Sequence, residues 1–258
     1  MARQQLPPSD LPYLDHPRPL AIAHRGGAGE FPENTPEAFE AAVKLGFRYL
    51  ETDVHVTSDG VLVAFHDPRL DRVTDRSGAI AELPWREVAA ATVGDGGRIA
   101  RMEDLLAAFP GARFNIDPKA NASVEPLIDT IRRTGALDRV AVGAFSQRRL
   151  ARIRAALGPR LCTSAGPREV AQLRLGSWRV PAGPTAAACV QVPVRLGRVP
   201  ITDAAFVDHA HRRGLQVHVW TIDDPTEMHR LLDLGVDGIM TDQPTVLREV
   251  FIQRGVWA

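Results

Sequence analysis

The chain has 258 residues, with 31 lysines plus arginines against 31 aspartates plus glutamates and so no net charge when histidine is neutral. That length suits one large α/β domain or two small ones, with roughly three quarters of the unfolded surface available for burial. The even balance provides no global field to favour nucleic acid or an anionic membrane, so any anion binding has to be local. Cys162 and Cys189, the two cysteines, are flanked by apolar or small residues and read as buried free thiols. No apolar core of signal-peptide length opens the chain and no run approaches a membrane span; a cytoplasmic protein without a stable membrane anchor is expected.

Residues 1–18 hold four prolines and few apolar side chains, which predicts an extended arm on the surface with no helix. Pro19 to His24 reads as a first strand ending on His24, followed by Arg25-Gly-Gly-Ala-Gly, a loop whose glycines let backbone approach a ligand. Thr35-Pro36-Glu37 carries the cap, the first-turn proline and the acid of a helix start, and Gly46 is its stop. Phe47 to Val56 is a second strand whose alternation points Glu51 and Asp53 to one face. Ser58-Asp59-Gly60 is a hairpin turn, and Val61 to Phe65 returns antiparallel. Centring that turn sets His66 across from Thr52 and Asp53, folded back onto the carboxylates.

Residues 68–110 read as a loop-rich insertion with one helix over 102–109 and a middle without a readable period. Arg113 to Lys119 is a third strand with Asn115, Asp117 and Lys119 on one face, and Pro118, unable to donate a ladder bond, marks its end. Strands near 139–144, 160–164, 187–191, 215–220 and 238–241 then alternate with helices near 123–134, 147–157, 168–175, 203–213, 225–234 and 244–253. Eight parallel strands alternating with helices over this length predict an α/β fold, a (β/α)8 TIM barrel spanning 19–258 as one domain, with its chemistry at the C-terminal strand ends. His24, Glu51, Asp53, Asp117, Lys119, Trp220 and Asp242 all fall there.

Glu51, Asp53 and Asp117 converge from neighbouring strands. They form either an all-oxygen site for Mg2+ or Ca2+ or a salt-bridge network with Arg25 and Lys119. A divalent cation with Arg25 and Lys119 would neutralise a phosphate group, and two histidines beside it can divide the proton work of phosphodiester cleavage. His55 shares the Glu51 face as a supporting residue, and His218 reads as a barrel-interior histidine. His16, His209, His211 and His229 read as surface positions. Trp220 is either core or a platform for an apolar part of a substrate. Glu33, just before a helix start, could bind metal or a substrate hydroxyl, or simply complement the helix dipole.

In this order and spacing, HRG at 24–26, PENT at 32–35, ETD at 51–53, DG at 59–60 and HD at 66–67 resemble the glycerophosphodiester phosphodiesterase family, a TIM-barrel group. LDRVTDRSG at 70–78, VWTID at 219–223 and GVDGIMTDQP at 235–244 extend the resemblance over nearly the whole chain. It implies His24 and His66 as the acid and base pair and Glu51, Asp53 and Asp117 as ligands of Mg2+ or Ca2+. It further implies Arg25 and Lys119 on phosphate, with Glu33, Asn34 and Trp220 lining the substrate site. The implied reaction is metal-dependent hydrolysis of a small glycerophosphodiester to sn-glycerol 3-phosphate and an alcohol. The alternatives are a relative acting on lysophospholipids or another phosphodiester, and a barrel that binds a phosphodiester without turnover. Asp117-Pro118-Lys119 departs from the family's Glu-x-Lys by a carboxylate one methylene shorter, which bears on affinity for the metal and its choice.

Overall fold

Helices and parallel strands alternate along the chain in a computed structural model that describes residues 11–181 and 183–257. The strands of the main sheet are β1 (Leu20–Ala23), β2 (Tyr49–Val56), the hairpin strand β3 (Leu62–Ala64), β4 (Arg113–Pro118), β5 (Val140–Val142), β6 (Cys162–Thr163), β7 (Cys189–Val192), β8 (Gln216–Val219) and β9 (Gly238–Thr241). Eight of them pair in parallel in the order β6-β5-β4-β2-β1-β9-β8-β7. A single parallel bridge from Ser164 to Cys189 joins the two ends, so the sheet curls into a nearly closed barrel. The expected (β/α)8 architecture is the one found.

The strands are largely buried on both faces, as in parallel sheets covered by helices; β1 and β5 read as apolar runs, while β2 and β4 carry polar residues in alternation. The surrounding helices start where the sequence supplies caps. Thr35 Oγ1 accepts the Ala38 N–H at the head of Pro36–Lys44, and Asp203 and Asp224 cap Ala204–Arg212 and Pro225–Leu234 in the same way. Register places the acids: Asp53 on β2 lies directly beside Asp117 on β4, and Glu51 beside Asn115. β3 pairs antiparallel with β2, Val54 against Ala64, and the Phe65 N–H reaches the Asp53 carbonyl at 2.9 Å. That register carries His66 back over the barrel mouth.

Three expectations need correction. Residues 1–10 of the arm lie outside the described residues, but from residue 11 the chain is not an extended arm lying wholly on the surface: Pro12, Asp15 and Pro17 are exposed, whereas Tyr13 and Leu14 turn inward. Pro12–Leu14 forms a 3-10 turn, and Tyr13 and Leu14 are buried against Tyr49, Cys162 and Cys189, plugging the end of the barrel opposite the mouth. Tyr49 donates its hydroxyl to the Tyr13 carbonyl at 2.7 Å, and the Arg18 guanidinium holds Asp237 at 2.7 Å. Secondly, β1 ends at Ala23, and His24 begins a 3-10 turn, His24–Gly26. Thirdly, the middle of the insertion has a core of its own. Leu70, Ile80, Val88, Val93 and Ile99 pack on Val63 and Phe65 of the hairpin; a 3-10 turn (Ile80–Glu82), a single helical turn (Trp85–Val88) and a two-stranded ribbon (Thr92–Val93 with Gly97–Arg98) supply three of them, each element too short to leave a period to read. Both cysteines are buried free thiols, as expected. No helix among the described residues is long and apolar enough to cross a membrane.

Candidate active site

The His24–Gly26 turn is tight because Arg25 takes a left-handed conformation, φ 52°, rare for a residue with a side chain. The turn aims the Arg25 N–H at Glu51 Oε2, 3.1 Å away, and the guanidinium at Asp53 Oδ2, 3.2 Å, and Glu33 Oε1, 3.3 Å. The neighbouring glycines have a packing reason of their own. Gly26, at φ 83°, sits so close to the following helix that a Cβ would come within 2.8 Å of Ala38 Cβ, and a Cβ on Gly27 would meet Pro244 at 2.7 Å. Their smallness lets the loop lie down on the barrel.

Each histidine of the pair has its own carboxylate. His24 Nδ1–H donates to Asp242 Oδ1 at 2.7 Å, leaving Nε2 facing Glu51 Oε2 at 3.7 Å. Asp242 is itself fixed, its N–H bonded to Asp223 at 2.8 Å. His66 Nδ1–H donates to Asp67 Oδ1 at 2.6 Å, and the His55 Nε2–H donates to the His66 carbonyl at 3.0 Å. In both cases an acceptor-only carboxylate sets the tautomer and leaves Nε2 as the nitrogen with a free lone pair. Burial alone would lower His24, but the Glu51 charge and the Asp242 hydrogen bond outweigh it and raise its pKa. His55 is lowered by burial and stays a neutral support.

Between the histidines lie the three acids. Lys119 Nζ bridges Asp53 Oδ1 at 2.7 Å and Asp117 Oδ2 at 2.9 Å, so Asp53 and Asp117 sit in the salt-bridge network that was the alternative to a metal centre. As they stand, the acids do not converge on one point, and no cluster of three or more metal-binding side chains is formed among the described residues. Burial would raise Asp53, but Lys119 and Arg25 hold it below its ordinary value. For Asp117 burial prevails over Lys119 and the pKa is raised. Glu51, pushed up first by burial and then by the Asp53 charge, reaches about 7. Lys119 would be lowered by burial, yet Asp53 and Asp117 raise it. Asp117 Oδ1 is buried without a hydrogen-bond partner. An acid forced to keep its proton to neutrality and a buried carboxylate oxygen without a donor mark a cluster short of positive charge, and its all-oxygen donor set fits a hard divalent cation.

Asn34, also left-handed at φ 59°, is locked by its partners: Nδ2 donates to Asp53 Oδ2 at 3.3 Å, and Oδ1 accepts from Thr52 at 2.7 Å. It braces Asp53. Glu33 accepts from Arg25 and from Arg72 of the insertion. Trp220 stands half-buried at the end of β8, its ring edge-on to Phe145 at 5.8 Å, and Phe145 in turn lies 5.9 Å from Lys119 Nζ. Asp67, Arg72 and Phe145 had no part in the site read from sequence, and Asp242 was noted only for its strand-end position. HD at 66–67 was a usable signal for Asp67, and LDR at 70–72 one for Arg72; Phe145 and Asp242 reach the site from loops far away in the chain.

Fold and family together make this chain an enzyme of the phosphoric diester hydrolase class on a (β/α)8 barrel. Residues 24–246 match the model of the Glycerophosphoryl diester phosphodiesterase family, and the chain belongs to that family. It is 45% identical, over 95% of both chains, to "Probable glycerophosphodiester phosphodiesterase 2" of Mycobacterium tuberculosis. It is 29% identical, over 88% of this chain and 84% of the other, to human "Lysophospholipase D GDPD1". Among solved structures, a putative glycerophosphoryl diester phosphodiesterase from Silicibacter pomeroyi superposes with a TM-score of 0.81 at 25% identity, covering 96% of this chain and 100% of that one.

Proposed function

We propose that the protein hydrolyses glycerophosphodiesters to sn-glycerol 3-phosphate and an alcohol, with His24 and His66 sharing the proton transfers. The observation that carries this reading is the pair of histidines, each bound through Nδ1 to its own carboxylate, on either side of an acid cluster that Arg25 and Lys119 enter. Nε2 of one neutral imidazole takes the proton of the attacking hydroxyl, and the other histidine, entering the reaction as the imidazolium, gives its Nε2 proton to the departing alkoxide as its bond to phosphorus breaks. Each transfer contributes roughly 10²–10⁴ in rate. Arg25 and Lys119 hold the non-bridging phosphate oxygens and meet the charge that grows on them. Glu33 and Trp220 line the glycerol side, and Asn34 supports it from behind by bracing Asp53.

Glu51, Asp53 and Asp117 would hold a divalent cation, Mg2+ or Ca2+. When bound, it supplies Lewis-acid polarisation of the phosphoryl group. The pairing of Asp117 beside Asp53 and the partnerless Asp117 Oδ1 support counting the shorter carboxylate in that set. A second reading, action on lysophospholipids, draws on Phe145, which is 66% exposed beside Trp220 and offers an apolar flank to a substrate chain. Replacing His24 or His66 with Ala should abolish glycerol 3-phosphate release while circular dichroism stays native. A variant that keeps near-normal turnover removes that histidine from the reaction. Comparing glycerophosphocholine with lysophosphatidylcholine separates the two substrates.

A further inference from the structure

The insertion sends one side chain into the site's framework. Arg72 Nε donates to Asp67 Oδ2 at 2.5 Å, while Nη1 and Nη2 grip Glu33 Oε2 and Oε1 at 3.0 and 2.6 Å. Asp67 is the carboxylate that fixes His66 Nδ1, and Glu33 is the one that meets Arg25 Nη1 at 3.3 Å. One guanidinium therefore closes a chain of four contacts, from His66 through Asp67, Arg72 and Glu33 to Arg25, across the hairpin, the insertion and the loop after β1. A planar fork can span two carboxylates in fixed directions, which an ammonium cannot. The hydrogen bond from Arg72, ahead of that from His66, holds Asp67 down at about 2, so it remains the acceptor that His66 needs. Arg72 is about half exposed, and its hydrogen-bond partners are these two carboxylates.

We propose that Arg72 is a positioning residue of the reaction, setting the orientation of His66 through Asp67 and that of the Arg25 and Glu33 side of the pocket through Glu33. The inference rests on His66 acting in the proton transfers. It makes the insertion a working part of the site, since this arginine is delivered by the segment packed around Leu70.

The test is steady-state release of glycerol 3-phosphate from glycerophosphocholine by the full chain carrying Arg72→Met or Arg72→Lys, with His66→Ala alongside. Arg72→Met should lower kcat by about tenfold to a hundredfold and raise KM, and added guanidinium ion should restore part of kcat. Arg72→Lys keeps the charge but loses the fork, and should still fall at least about fivefold, so it carries the test should Arg72→Met not fold. Either variant folded and within about twofold of wild-type kcat and KM, beside an inactive His66→Ala, overturns the proposal alone. A loss that guanidinium leaves unmoved and that follows a fallen Tm assigns Arg72 a purely structural role and overturns it too. An active His66→Ala overturns the reading of His66 and this inference with it.

Discussion

Changing the pH around a titrating Glu51 should change how tightly the acid cluster takes a cation. Burial, reinforced by the Asp53 charge, holds the Glu51 proton up to about 7, whereas a carboxylate that binds a cation is ionised. The cation must therefore displace that proton, and affinity rises with pH until Glu51 is ionised on its own. With a pKa of about 7 the ionised fraction falls from roughly nine tenths at pH 8 to roughly one tenth at pH 6, so affinity should weaken about tenfold, ~1.4 kcal/mol, over that interval. Isothermal titration calorimetry with Mg2+ and with Ca2+, in two buffers of different ionisation enthalpy, reads both the affinity and the proton released, about one half per cation at pH 7. Glu51→Gln should weaken binding and flatten its pH dependence. An affinity that is constant from pH 6 to 8 with no proton release would refute the reasoning.

Three other predictions follow from the geometry. Asp242→Asn removes the carboxylate that fixes the His24 tautomer and should lower kcat about tenfold to a hundredfold with little change in Tm; an unchanged kcat would show that Asp242 is not needed to orient His24. Arg154→Met strands the buried Glu169 carboxylate, which Arg154 grips at 3.0 to 3.2 Å, and should cost about 3 kcal/mol in urea unfolding at pH 7; a cost under about 1 kcal/mol would contradict it. Burial alone would raise Glu169, yet its bonds to Arg154, Gly166 and Thr185 hold it at about 2, so its contribution is complete above the ordinary carboxylate range and is lost as pH falls towards 2. Tyr13→Ala opens a cavity beneath the barrel and should cost about 3 kcal/mol in the same assay, while a neutral result would mean that the buried arm adds nothing to stability.

The parts of this structure that were legible in the sequence are those governed by short-range periodicity. Alternation along 49–56 and 113–118 fixed which acids share a face, and the length of the 58–60 turn fixed the register that brings His66 over Asp53. Helix starts were readable wherever a side chain caps its own helix, as at Thr35. What escaped depends on residues far apart in the chain. The acceptor for His24 comes from position 242, and Arg72 reaches back 39 residues to Glu33. Tyr13 looks like part of a polar, proline-rich tail until the barrel end it fills exists. The packing need for the glycines at 26 and 27 was not readable either, because smallness serves equally to approach a ligand or to let a loop pack, and the close distances to Ala38 and Pro244 exist only in the folded chain.

The most direct test of the whole account is release of sn-glycerol 3-phosphate from a panel of glycerophosphodiesters, measured before chelation, after chelation, and after Mg2+ or Ca2+ is returned. The account predicts turnover on at least one member of the panel, its loss to the chelator and its recovery with the cation. No turnover on any member would contradict the proposed reaction, and turnover indifferent to the chelator would contradict a divalent cation at Glu51, Asp53 and Asp117.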